Sequence, residues 1–435
     1  MKKKWSATWA LILMVALTLS ACGGGNSGSG NGNGNQKSAG SEKVNLTFSV
    51  WGDVASGSNE QQLADEFNKA HSNIQVKFEP IPSDGYGTKL TTSLAAGQAP
   101  DVFLIGEGDY FSYVNKGVIE PLDDYLKKDT SFSLDIFQKD LIDNMRINGK
   151  QYYLPKDFNP LALWYNKRMF DEAGIAYPTE NWTWDDLVAT AKKLTKKDGD
   201  KYTQFGFNAG KWEYPLYTYL WDHGTDIANE DGTKAEGFIN SDKTVAAIEK
   251  YAALSTGPDR VSPTPQDTET MGGDSSMFMT DKLAMMVTGR WIKSDLDKSD
   301  VKYGSALIPK GADGTRSSII ASAGWAINAA GKHKQEAYEL VKWLSGTEAQ
   351  KLRSENSKVL PATVKELGEV KAKEVADKPV IEMMNYAKKP VTMRSANGPV
   401  FVEEFTKAME KILLNKQDVK GALDEAAKNI DSKVK

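Results

Sequence analysis

The segment YYLPKDFNPLALWYNK, residues 152–167, decides the fold. Pro155 and Pro160 disfavour helix at the residues before them, so the first half of the segment is extended. After Pro160 comes Leu161-Ala162-Leu163-Trp164-Tyr165, a short apolar run bounded by turn residues, which suits a buried strand. An extended stretch therefore crosses a turn and enters a new strand about a third of the way along the chain. It is either a crossover between two lobes or a strand-turn-strand within one domain. The flanking sequence decides.

Upstream, Val44, Leu46, Phe48 and Val50 alternate with polar residues as in a strand, and Trp51-Gly52-Asp53 ends it. Ser58 and Gln61 make a capping-box pattern before a helix that runs to about residue 70. Ile74, Val76 and Phe78 alternate again, a helical stretch follows over residues 86–96, and DVFLI at 101–105 is a compact apolar strand. Strands and helices alternating at this spacing indicate parallel α/β units. In open α/β sheets the ligand sits beyond the carboxyl ends of the strands. Those ends carry Trp51 and Asp53, then Glu107, Asp109 and Tyr110.

Downstream, Thr183 caps a helix whose first turn holds Asp185 and Asp186, where the helix dipole favours acids. QFGFNAGKWEYPLYTYLW, residues 204–221, is dense in aromatics; Trp212 and Tyr214, between Gly210 and Pro215, are its candidates for a ligand surface. Residues 244–254 read as helix and residues 262–274 as a surface loop. A short helix over 277–282 leads into an apolar strand over 283–287, with Gly289-Arg290-Trp291 at its end. A strand over 304–309 leads out, and residues 319–328, containing Gly324-Trp325, return. Residues 333–344 form a helix, and Thr347 with Gln350 makes a further capping box. The remainder is mostly amphipathic helix expected on the second lobe, with Arg394 in the loop before the last long helices. Three crossings mean two lobes hinged about extended segments. The expected lobes are 44–156 with 312–345, and 157–311 with 346–435.

The 435 residues suffice for two or three domains, and 40% hydrophobic with 26% charged residues is ordinary globular composition. The net charge is −4 and both signs are interspersed, so nothing calls for nucleic acid. Cys22 is the single cysteine, which excludes an intramolecular disulfide and a cysteine metal cluster. The three histidines, His71, His223 and His333, lie far apart, against a zinc site or a catalytic triad. No cofactor and no metal are expected.

The N-terminus carries Lys2-Lys3-Lys4, an apolar region over residues 8–19 too short to span a membrane comfortably, and Leu19-Ser20-Ala21-Cys22. That tetrapeptide resembles the lipobox of bacterial lipoproteins, which implies a signal peptide over 1–21 and a lipidated Cys22. Losing three lysines and no acid takes the formal charge to −7. Residues 23–43, GGGNSGSGNGNGNQKSAGSEK, can build no core and make a flexible tether. At about 5–6 Å × √n its root-mean-square reach is roughly 25 Å. The expected location is the outer face of the bacterial cytoplasmic membrane.

LTFSVWGD, QAPDVFLIGEGD, LPKDFNPLALWYNK, WTWDDL, FMTDKLAMMVTGRW and GWAINAAGKHKQEAYELVKWLSG together, in this order and spacing, resemble the carbohydrate-type extracellular solute-binding proteins of bacterial ABC importers, the family that includes the maltose-binding proteins. The resemblance implies a two-lobed class II periplasmic-binding-protein fold of α/β type with the ligand in the cleft between lobes. It implies a monomeric receptor that delivers a sugar, an oligosaccharide in the first instance, to the permease, without catalysis. In that family a Gly followed shortly by an aromatic stacks on the sugar, a position that Trp291 occupies, and the region of Arg394 lines the second-lobe side of the cleft. One departure stands out. Gly106-Glu107-Gly108-Asp109 has no tryptophan where some members place an aromatic, so first-lobe stacking falls to Trp51, Tyr86 or Tyr110.

A pyranose presents an apolar C–H face, which packs on an aromatic ring, and a rim of hydroxyls that need donors and acceptors. Carboxylates accept such hydroxyls through strengthened hydrogen bonds, and arginine donates in a planar fork. The candidate set is therefore Trp51, Asp53, Tyr86, Glu107, Asp109, Asp157, Trp212, Arg290, Trp291, Trp325 and Arg394. The alternatives are a receptor for another small polar ligand, such as a polyamine, a phosphodiester or a metal chelate, and a secreted glycoside hydrolase. The last would need two carboxyls held about 5–10 Å apart, and no element commits two acids to that geometry.

Overall fold

The computed structural model describes residues 43–52, 59–82, 85–106, 108–357, 359–373 and 377–434. The expected signal, the lipidation site Cys22, the tether, Ser58 and the candidates Asp53 and Glu107 lie outside the described residues.

Two sheets organise the chain. The first has the strand order Ile74–Phe78, Val44–Ser49, Val102–Gly106, Ala323–Ile327, Tyr153–Pro155. Its first three strands are mutually parallel, as the strand-helix alternation predicts. In Ile74–Phe78 the apolar residues are buried and Gln75 and Lys77 point out, the two-residue period of a strand with one covered face. The second sheet places Leu161–Asn166 between Met285–Gly289 and Tyr303–Ala306, both antiparallel to it. All six residues of Leu161–Asn166 are buried, as its unbroken apolar run requires.

Tyr153–Pro155 is therefore an edge strand of one sheet and Leu161–Asn166 the centre of the other: residues 152–167 are a crossover. A returning segment runs beside it. Lys156 N–H donates to Ala323 O at 2.7 Å and Asn159 N–H to Ala321 O at 2.8 Å. Leu161 N–H donates to Ser318 Oγ at 2.8 Å. A two-residue strand, Ser318–Ile319, then pairs with Ala387–Lys388 from the late chain. Backbone hydrogen bonds thus tie the crossings together, which leaves few residues to absorb a hinge rotation.

Several local expectations change. Gln350 does not close a capping box with Thr347; its amide donates to Pro155 O and Lys156 O, at 3.2 and 2.9 Å, and holds the crossover instead. The helix Thr347–Ser357 buries Ala349 in the same core as Trp325 and Leu344. Residues 262–274 are not simply a loop. Thr264 and Asp267 form a capping box that starts the helix Pro265–Thr270. The pattern of Thr264, Pro265 and Asp267 is a helix start in its own right, with proline tolerated in the first turn. The acids after Thr183 behave as expected, since Asp186 completes a capping box with it. Among the described residues no helix is long and apolar enough to cross a membrane.

Candidate functional site

The second lobe contains a pocket of about 690 Å³ walled by Trp212 and Trp291. Both are among the few large apolar side chains left exposed among the described residues, at 38% and 36%. Their rings meet edge to face, 6.1 Å apart at 71°, and Tyr214 stacks on Trp212 at 5.2 Å. Trp212 immediately precedes the helix Glu213–Asp222. Trp291 sits in the short 3₁₀ turn Arg290–Ile292 that ends the strand Met285–Gly289. Gly289 makes room for it: a Cβ there would lie 2.0 Å from the indole. This explains physically why a glycine stands two residues before the platform.

Acids complete the pocket. Glu213 lines it, and Asp274 approaches from the helix Asp274–Met279. Gly272 and Gly273, both at positive φ, turn the chain back toward the pocket just before Asp274. Burial raises the Glu213 carboxyl above the ordinary range, against a hydrogen bond to its own backbone N–H. Burial likewise raises Asp274, opposed by the Asn208 side chain. Glu213 also borders a smaller hollow of about 260 Å³, whose opposite wall is Gly108 and Asp109 of the first lobe. Asp109 has exposed surface, yet protein atoms crowd its carboxyl and raise its pKa against the pull of Lys116. The arrangement offers two flat apolar rings beside two half-buried carboxyls, Glu213 and Asp274.

The other candidates go elsewhere. Trp325 is completely buried in the first-lobe core, edge-on to Phe48 at 5.8 Å. Tyr86 is buried and donates its hydroxyl to Leu104 O at 2.8 Å. Tyr110 is buried with its hydroxyl on Asn144 O. Neither offers a stacking face. Trp51 stays half-buried, edge-on to Tyr86 at 5.4 Å, and is the remaining first-lobe aromatic of the set. Asp157 is buried in the hinge, paired with Lys156 at 2.8 Å and accepting from Ala323 N–H. Arg290 is buried against Asp377 at 2.6 Å. Arg394 pairs with Asp226 at 2.8 Å and donates to the carbonyls of Asn229 and Glu230, clamping that loop. These two arginines stabilise the second lobe and do not line the pocket.

Glu213 and Asp274 are missing from the sequence-derived set. Glu213 follows a candidate tryptophan directly, the same aromatic-beside-acid signal that marks Trp51 and Asp53. Asp274 was legible only through the Gly-Gly turn before it. A second groove, of about 440 Å³ between the last two helices, is lined by lysines and glutamates that pair with one another. It has no exposed aromatic ring.

Two lobes on separate sheets, tied by adjacent crossings and carrying an aromatic pocket, define a two-lobed α/β binding protein of the maltose-binding type. Residues 51–351 match the bacterial extracellular solute-binding proteins, and the chain belongs to that family. A galactooligosaccharide-binding protein of Bacillus subtilis (strain 168) is 27% identical over 457 residues, spanning 100% of this chain and 98% of that protein. An ABC substrate-binding protein from Listeria monocytogenes, solved in complex with cycloalternan, superposes with a TM-score of 0.81 at 28% identity, over 90% of this chain and 99% of that one. The maltose/maltodextrin-binding domain from Bdellovibrio bacteriovorus bound to maltotriose gives 0.77 at 20% identity, over 90% and 100% of the two chains, a likeness of fold.

Proposed function

We propose that this protein is a lipid-anchored receptor that captures an oligosaccharide outside the cell and hands it to an ABC import permease. The observation that carries the reading is the Trp212–Trp291 wall beside desolvated Glu213 and Asp274. Sugar C–H faces pack on the two indoles, and the carboxylates accept hydroxyl hydrogen bonds that bulk water does not weaken. Closure brings Asp109 and the first lobe onto the sugar's other side, and the closed form is the state the permease recognises. The related proteins that bind galactooligosaccharide and cycloalternan support an oligosaccharide as the ligand class. An anionic ligand fits less well, because Lys211, Arg290 and Arg394 are engaged with Glu410, Asp377 and Asp226.

Calorimetric titration of the purified protein with neutral mono- and oligosaccharides, a polyamine and a phosphodiester tests the reading. Saturable binding confined to sugars supports it. Binding of the amine or phosphodiester alone replaces the ligand class, and sugar hydrolysis replaces the receptor with an enzyme. Anchoring is tested separately with radiolabelled palmitate, which labels the wild-type protein and not Cys22→Ser.

A further inference from the structure

Arg290 and Asp377 lie 87 residues apart in sequence and form an ion pair in which both side chains are 1% exposed. Neither lines the ligand pocket. Asp377 stands at the start of the helix Lys378–Glu382, where an aspartate ordinarily caps, yet its side chain caps nothing there and turns to Arg290. A pair so deeply buried holds its geometry tightly, since either partner alone leaves an uncompensated charge.

Arg290 opens the 3₁₀ turn whose next residue is Trp291. The indole is held from below by the bare Cα of Gly289 and from the side by Trp212. The residue immediately before Trp291 in the turn, Arg290, is anchored through its side chain to Asp377. Beyond Asp377 the chain runs through Lys378–Glu382 and Met383–Tyr386 into Ala387–Lys388, the strand paired with Ser318–Ile319 where the lobes join. We infer that Asp377 is a positioning residue for Trp291: through Arg290 it fixes the aromatic platform and ties it to the segment that enters the hinge. The inference rests on Trp291 being that platform, but its test needs no sugar.

The full chain is labelled with 5-fluorotryptophan, and ¹⁹F resonances are assigned by the line lost in Trp291→Phe and in Trp164→Phe. Trp164 is the control, because it is buried in the same lobe with its indole N–H on Thr288 O at 3.1 Å. In Asp377→Asn the Trp291 line is expected to move by more than its own width while Trp164 stays in place. Asp377→Glu, which keeps the charge, returns the Trp291 line most of the way. An unmoved Trp291 line overturns the inference. So does a joint shift of Trp291 and Trp164, which signals general loosening of the lobe. If Asp377→Asn does not fold, Arg290→Lys takes its place with the same expected and overturning results, since an ammonium keeps the charge and loses the fork.

Discussion

Trp212 and Trp291, from a helix start and a strand end 79 residues apart in sequence, bring their rings to 6.1 Å at 71° and leave both partly bare. Two large aromatics pressed together in a core would be covered. These form the wall of a pocket, and burial raises the carboxyls of its acids Glu213 and Asp274.

Gly289→Ala should cost as much ligand affinity as Trp291→Ala. The added methyl would sit 2.0 Å from the indole, so the ring must leave its place. Titration of both variants with the sugar that the wild type binds checks this. A Gly289→Ala protein with wild-type affinity would show that the ring position is irrelevant.

Asp274→Asn and Glu213→Gln should fold normally and bind more weakly. A hydrogen bond to a charged group contributes about 1.5–3 kcal/mol, which corresponds to roughly tenfold to a hundredfold in affinity. The measurement is the dissociation constant at fixed pH. Unchanged constants in both variants would remove the acids from the binding account.

Trp325→Ala should separate stability from binding. The side chain is completely buried against Phe48, and Phe or Trp to Ala in a core costs about 3–5 kcal/mol. Denaturant titration should show that loss, while the folded fraction retains the wild-type dissociation constant. A specific affinity defect at unchanged stability would return Trp325 to the site.

Asp222, at the far end of the helix that begins with Glu213, has its carboxyl raised to about 8 by burial, against the indole N–H of Trp184, which donates to it at 3.2 Å, and the charges of Lys388 and Arg316. The folded value lies above the unfolded one, so the folded state favours the protonated acid. Its contribution is fully present below the unfolded pKa and is lost as pH rises through about 8. Between about pH 5 and 7, above the unfolded value and below the folded one, the slope is roughly 1.4 kcal/mol per pH unit. Asp222→Asn should flatten the fall in melting temperature across that window; an identical fall in both proteins contradicts the assignment.

Much of the fold was written locally. The alternation of Ile74, Val76 and Phe78, the apolar run after Pro160 and the cap at Thr183 each gave the right element, because each depends on neighbours in sequence. The site was less legible. Trp325 and Trp291 each follow a glycine closely, yet Gly324 stands at the start of a strand buried on both faces and Gly289 ends one, so the first ring is core and the second platform. The local sequence does not report on which side of a strand boundary the ring falls. Arg290 and Arg394 looked available because Asp377 and Asp226 lie 87 and 168 residues away. Asp274 was hidden in a stretch that composition marks as loop, and only the backbone path through Gly272 and Gly273 carries it to the pocket.

The most direct test of the account is tryptophan fluorescence and thermal shift read together on wild type and Trp291→Ala, across a panel of oligosaccharides. A sugar at 100 times its dissociation constant stabilises by about 2.7 kcal/mol, well within reach of a melt. The account predicts a saturable fluorescence change and a raised melting temperature for one sugar class in the wild type, both lost in Trp291→Ala. Equal responses in the two proteins, or none to any sugar beside a clear response to an amine or a phosphodiester, would contradict it.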